Sequence, residues 1–186
     1  MLKQNYSMPE QQNLFGTPSR KPSHNKFVSV FRISLVKDKQ VSFGIDECQL
    51  NNSQQAYPIF RKLIKRQGQS DREQFCIVML NAKNSIIGLN IVSTGNLTSA
   101  SIMPREVLKP AILSNSAALI LCHNHPSEDP NPSPEDMAIT KRIIQASNLM
   151  GIVVHEHLVI AMNEDRYFSF ADNGIIKRIY DELKRP

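Results

Sequence analysis

The residues best suited to do chemistry lie close together: His123-Asn124-His125, then after seven residues Ser133, and three residues later Asp136. Two histidines at i and i+2 of an extended segment turn both imidazoles to one side. Asp136, in the first turn of a following helix, can come back across the loop to face them. Two imidazoles and one carboxylate leave the fourth position of a tetrahedral zinc open, as catalytic rather than structural sites do, with water its natural occupant. Each piece also has a plain structural explanation. Ser133 and Asp136 can be a capping pair at a helix start, and the histidines can be turn residues after a strand. The conjunction favours a metal site: a buried strand delivering H-x-H, a loop stiffened by three prolines, and a Ser-x-x-Asp helix start. The cap survives beside it.

The flanking elements can be read from periodicity. Ala117 to Cys122 is a short apolar run of the kind a buried central strand needs. Ser133, Pro134, Glu135 and Asp136 open a helix to about Met150, which Gly151 can terminate. Gln74–Leu80 and Ser85–Val92, joined by a turn at residues 81 to 84, read as adjacent antiparallel strands. Pro104 suits the first position of a helix to about Leu113. Ile152–Met162 and Tyr167–Phe170 read as further strands, and Ile175–Lys184 as a closing helix. Upstream, Phe31, Ile33 and Leu35, a polar break at residues 37 to 40, and Val41–Ile45 predict a small hairpin. Tyr57–Gln67 predicts an amphipathic basic helix in which Phe60, Leu63 and Ile64 alternate with Arg61, Lys62, Lys65 and Arg66. That cationic row either touches a nucleic-acid backbone or is simply the solvated side of a packed helix. Strands broken by separate helices predict an α+β fold, a mixed sheet flanked by helices. No glycine-rich loop favours nucleotide binding.

Composition narrows the class. The 186 residues are 41% hydrophobic and 21% charged, ordinary for a soluble protein. The longest aliphatic run is six residues, where a spanning helix needs roughly 20, so no membrane association is expected. The start lacks a secretory signal, and the cysteines (Cys48, Cys76, Cys122) form no CxxC pair, which together suit a cytoplasmic location. The net charge is +5, of which residues 1 to 26 carry Lys3, Arg20, Lys21 and Lys26 against Glu10 alone. That segment is rich in Gln, Asn, Ser and Pro and is expected to be a disordered tail. The expected organisation is therefore a tail over 1–26, an extension of hairpin and basic helix over 27–69, and a metal-binding domain over 70–186.

The run HNHPSEDPNPSPED, with Glu73 upstream, resembles the JAMM (MPN+) metalloprotease signature, and more closely its RadC-like branch. The likeness extends to PREVLKPAI at 104–112 and GIVVHEHLVI at 151–160, covering about residues 70 to 174. It implies a JAMM/MPN-like, cytidine-deaminase-like α/β sandwich, with one zinc ion per chain held by His123, His125 and Asp136. It further implies Glu73 as general base, with Glu106 a nearby rival, and Ser133 as donor to the oxyanion. In three respects the chain departs from the RadC-like pattern. Glu128 stands where glycine is usual; Glu156-His157, preceded by His155, replaces Asp-His; and residues 1 to 50 do not resemble the helix-hairpin-helix region of longer members. Glu156 or His157 can be a partner that orients a ligand, or merely packed.

The function expected from this reading is zinc-dependent hydrolysis of an amide bond in a peptide or protein substrate. The alternative is a DNA-associated accessory protein of repair or of a mobile element, in which the metal site is structural or inactive and the basic tail and helix do the binding. A metal-dependent nuclease is a third reading, weakened because His-Asn-His is contiguous here and no second carboxylate-rich site for two-metal chemistry lies nearby.

Overall fold

A computed structural model describes residues 32, 34 to 37, 49 to 67, 71 to 95 and 102 to 185. The expected tail over 1–26 lies outside these. So does nearly all of the hairpin expected up to Ile45, whose described residues, 32 and 34 to 37, carry no regular element.

The elements in chain order are α1 (Ser53–Gln67), β1 (Gln74–Leu80), β2 (Ile86–Thr94), α2 (Pro104–Leu113), β3 (Ala118–His125), α3 (Pro134–Leu149), β4 (Val153–Ala161), β5 (Arg166–Ser169) and α4 (Ile175–Leu183). The strands form one sheet in the order β2-β1-β3-β4-β5. β1 runs antiparallel to β2 and β3, β4 parallel to β3, and β5 antiparallel to β4. This is the mixed α+β sheet flanked by helices that the sequence predicts.

β1 is buried along its whole length because it lies between two neighbours and is covered on both faces. Its alternation splits the core. Phe75, Ile77 and Met79 join Leu119 and Leu121 under α2, α3 and α4, while Cys76, Val78 and Leu80 join Ala118, Ile120 and Cys122 under α1. Both thiols are free and fully buried, and burial raises the Cys76 thiol to about 12.

Two boundaries differ from the sequence reading in ways that matter. α1 begins four residues before Tyr57, because Asn52 caps it: its Oδ1 accepts from Gln55 N at 2.8 Å. Pro58 is then carried inside the helix, held there by Ala56, Ile59 and Phe60 packing on the sheet. β3 runs on through His123, Asn124 and His125, since pairing with Val159, Ile160 and Ala161 of β4 keeps the chain extended past the apolar run.

A bulge in β4 is equally consequential. Leu119 pairs with Val154 but Ile120 pairs with Glu156, so His155 is an extra residue. Before it, even-numbered Val154 faces α3; after it, odd-numbered Val159 faces α3 and Leu158 faces α1. The bulge therefore turns His157 toward α3 and Glu156 away from it.

The loop between β3 and α3 is tied down at Glu128, whose φ is +61°. A left-handed backbone costs a non-glycine residue about 1–2 kcal/mol, in keeping with the glycine that the resemblance leads one to expect there. Here the side chain compensates. Its Oε2 accepts from Asn163 N at 2.8 Å and its Oε1 from Asn163 Nδ2 at 3.0 Å. Glu128→Ala keeps the strain and loses both bonds, so it should destabilise by about 1–3 kcal/mol at the usual net value of a hydrogen bond. Glu128→Gly relieves the strain and should melt above the alanine variant; thermal denaturation of the two side by side checks the order.

Candidate metal centre

The parity of β3 sets His123 and His125 on the face covered by α3, with Asn124 on the other. Asp136 and Thr140, one turn apart on the buried side of α3, face them. Glu73 stands immediately before β1, next to the end of β3 because Phe75 pairs with His123. Ligand atoms of Glu73, His123, His125 and Asp136 all lie within 4.8 Å of one another, an arrangement that can hold a metal ion.

Hydrogen-bond direction fixes both imidazoles. His125 Nδ1 lies 2.6 Å from the carbonyl of Asp129, which can only accept, so Nδ1 carries the proton and Nε2 a lone pair. For His123 the argument runs through three residues. Thr140 Oγ1 donates to the Asp136 carbonyl at 2.6 Å and so must accept from His157 Nδ1, also at 2.6 Å. His157 Nε2 is then bare and accepts from His123 Nδ1 at 2.9 Å, leaving His123 Nε2 as a lone pair too. Burial, with the neighbouring His123 next, pushes His157 well below the ordinary imidazole range and keeps it neutral. Phe170 stacks on His157 with ring centroids 4.7 Å apart, and Phe75 packs edge-on at 5.5 Å.

The two Nε2 lone pairs face each other at 3.0 Å. Asp136 Oδ1 lies 3.1 Å from the first and Asp136 Oδ2 3.4 Å from the second. Four acceptor atoms at such separations repel unless a cation, a proton or a metal ion, lies among them, and two imidazole nitrogens with a carboxylate are a donor set that fits a metal ion. Burial disfavours the charge on Asp136, but His123 and His125 beside it hold its carboxyl well below the usual carboxylate range. Burial likewise opposes the charged form of His125, yet Asp136, the Asp129 carbonyl and Glu73 together raise its affinity for a proton.

Ser133 forms a capping box with Asp136: Asp136 N donates to its Oγ at 3.1 Å, while Ser133 N and Oγ both donate to Asp136 Oδ2 at 2.7 Å. The cap and the metal-facing carboxylate are one structure. Asn124, the middle residue of the triplet, does not face the cluster. Its Oδ1 accepts from Gln74 N at 2.9 Å and its Nδ2 donates to the Arg72 carbonyl at 3.0 Å, so its amide brackets Glu73. Gly95 N adds a third tie, to the Glu73 carbonyl at 2.9 Å. Glu73 Oε1 then lies 3.9 Å from His123 Nε2 and 4.0 Å from His125 Nε2.

Other residues singled out by sequence lie elsewhere. Glu106 is on the surface of α2, paired with Arg105 and Lys109, and is not part of the cluster. Glu156 faces away from the histidines and is buried, accepting from Ser169 Oγ, His157 N and Ala171 N. Burial is the larger influence on its carboxyl and raises it despite those donors. His155 sits at the bulge, 3.2 Å from Asn84 Oδ1. Thr140 and the bracketing role of Asn124 escape sequence reading; the only signal for Thr140 is its i+4 spacing from Asp136.

Thr140→Val removes the acceptor that the buried His157 Nδ1–H uses. It should lower stability by about 1–3 kcal/mol, the cost of an unmade buried hydrogen bond, and weaken divalent-metal affinity by about 10- to 100-fold. Thr140→Ser should restore both; chemical denaturation and calorimetric metal titration measure them.

Comparison with known proteins agrees with this geometry. The family described as RadC-like JAB domain matches residues 50–175. A UPF0758 protein of Symbiobacterium thermophilum is 45% identical over 118 residues, covering 63% of this chain and 50% of that protein. A UPF0758 protein of Desulfitobacterium hafniense is 45% identical over 106 residues (57% and 46%), and one of Methanosarcina acetivorans 36% over 119 (64% and 51%). The chain thus spans about half the length of the curated relatives it matches. With all five strands and every member of the cluster inside the matched segment, this chain belongs to the RadC-like JAB domain family.

Proposed function

We propose that this domain is a zinc-dependent metallopeptidase-like hydrolase that cleaves an amide bond in a peptide or protein, with His123, His125 and Asp136 as zinc ligands. The observation that carries this reading is the pair of Nε2 lone pairs 3.0 Å apart with a carboxylate oxygen 3.1 Å from one of them. Bond lengths of about 2.0–2.1 Å in a zinc tetrahedron give edges of about 3.3 Å between ligand atoms, close to these separations. Glu73, at 3.9 and 4.0 Å, stands just beyond that edge. Zinc bound there would polarise the scissile carbonyl and bring the pKa of a water toward about 7.

The remaining work falls to side chains of this chain. Glu73 takes a proton from the attacking water and returns it to the departing amine nitrogen, the general acid–base role implied by its family position. Its backbone, tied by Asn124 and Gly95, holds the carboxylate in one place while it does so. Ser133 donates to the oxyanion by turning its hydroxyl from Asp136 Oδ2, which keeps its second donor, Ser133 N. An open zinc position suits attack on a carbonyl. The nuclease reading draws no support from Asn124, whose amide is engaged with Arg72 and Gln74.

Zinc content per chain together with peptide hydrolysis tests this reading. Wild type should hold about one zinc ion, Asp136→Ala should lose it, and Glu73→Gln should keep it while losing about 10²- to 10⁴-fold in rate. Wild type that takes up no zinc when it is supplied would overturn the proposal. Because protons compete for His125 Nε2, zinc retention should fall as pH drops through that residue's raised range. Asn124→Ala should retain zinc yet lower kcat by up to about 10²-fold, the scale of a misplaced catalytic group; steady-state kinetics alongside metal analysis separates the two effects.

A further inference from the structure

On the face of the sheet opposite α3, one stripe of α1 and the turn after β4 border an open groove of about 560 Å³. It is lined by Tyr57, Arg61, Lys62, Lys65, Arg66 and Asp165, with Gln54 and Pro58 at one end. α1 contains no acidic residue, so Arg61 with Lys65 and Lys62 with Arg66 are like-charge neighbours one turn apart. Such pairs weaken a helix, and only the last-turn cations gain from its dipole.

The single carboxylate of the groove is already engaged. Asp165 Oδ1 accepts from the Tyr57 hydroxyl at 2.7 Å and lies 3.7 Å from Arg61 Nη1. Burial, then that same hydrogen bond, raises the Tyr57 phenol, so it stays neutral. Its ring stacks on Tyr167 with centroids 4.8 Å apart, giving the groove a fixed wall. Arg61 is held by its Nη2 donating to the Met162 carbonyl at 3.5 Å. Its Nε is buried and has no hydrogen-bond partner among the described residues, a donor left over on the groove wall.

We propose that this groove binds the phosphodiester backbone of a nucleic acid, without sequence preference. Two cation rows, Arg61 with Lys62 and Lys65 with Arg66, stand one helical turn apart, about 6 Å at 1.5 Å per residue. They present repeated positive charge to a chain of repeated negative charge. Guanidinium groups match the fork of phosphate oxygens, and contacts to phosphates carry no sequence information. The site shares no residue with the metal cluster, so it stands or falls apart from the hydrolytic reading.

The test is fluorescence anisotropy of a labelled DNA strand, a DNA duplex and an RNA strand against the full chain, across about 50 to 200 mM salt. The variant is Lys65→Glu/Arg66→Glu. The control is Arg178→Glu/Lys184→Glu, an equal charge change on α4 and its C-cap, across the sheet from α1. Wild type should bind with affinity that falls steeply with salt. The groove variant should bind about tenfold or more weakly, its salt slope shallower by about 0.7–0.9 for each phosphate it no longer neutralises, while the α4 variant keeps the wild-type slope. Lys65→Gln/Arg66→Gln should move the same way by less, with unchanged melting and zinc content. The proposal is overturned if groove and α4 variants behave alike, which would put binding on the basic tail. It is equally overturned if wild type binds no nucleic acid at low salt, or if polyglutamate displaces DNA as well as unlabelled DNA does, which would make the ligand an acidic polypeptide.

Discussion

Two imidazoles that point Nε2 at each other across 3.0 Å, with one carboxylate against both, make an arrangement that needs a cation, proton or metal ion, among them. The surrounding structure forces it. Strand alternation turns both rings to one face, and each Nδ1 is spent on an acceptor that cannot give the proton back. A carboxylate is then brought up against both rings, increasing the negative potential between them. Strain of this kind, imposed by fully satisfied partners on every side, is the mark of a pocket built for a cation.

The supporting structure is economical. One serine begins α3, anchors Asp136 and supplies the donor that the hydrolytic reading needs. One asparagine, set between the two histidines, uses the opposite face of the strand to fix the backbone on both sides of Glu73. The middle letter of the triplet thus couples the histidine strand to the segment carrying the glutamate, which are far apart in sequence and meet only because β1 and β3 pair.

What could be read from the sequence was local. The H-x-H spacing, the apolar run before it, the Ser-x-x-Asp helix start and the mixed sheet all follow from short-range periodicity or capping rules, and the structure carries them. What could not be read depends on pairing between distant segments. Nothing near Asn52 announced that α1 would carry a proline within it; packing on the sheet decides that. Motif position favoured Glu73 over Glu106, but only the β1–β3 register shows what brings Glu73 beside the histidines. The roles of His157 and Glu156 could not be separated along the chain, because adjacent strand residues always face opposite ways and only the sheet says which is which. Glu128 was visible as an oddity, but its reason lies in a backbone angle and in Asn163, 35 residues on.

The bulge at His155 makes β4 a strand read in two frames. Upstream of it even positions belong to one core, downstream odd positions do, and the histidine that orients His123 lies in the second frame. An exchange of the exposed His155 side chain leaves both frames intact, and removing that residue would leave Glu156 opposite Ile120 and His157 opposite Leu121 in a regular ladder. Pairing His155 within the ladder would instead put Glu156 beneath α3 and turn the His157 imidazole toward α1. What stands behind the metal-facing histidine thus depends on one residue being left out of the ladder, however intact the ligand motif.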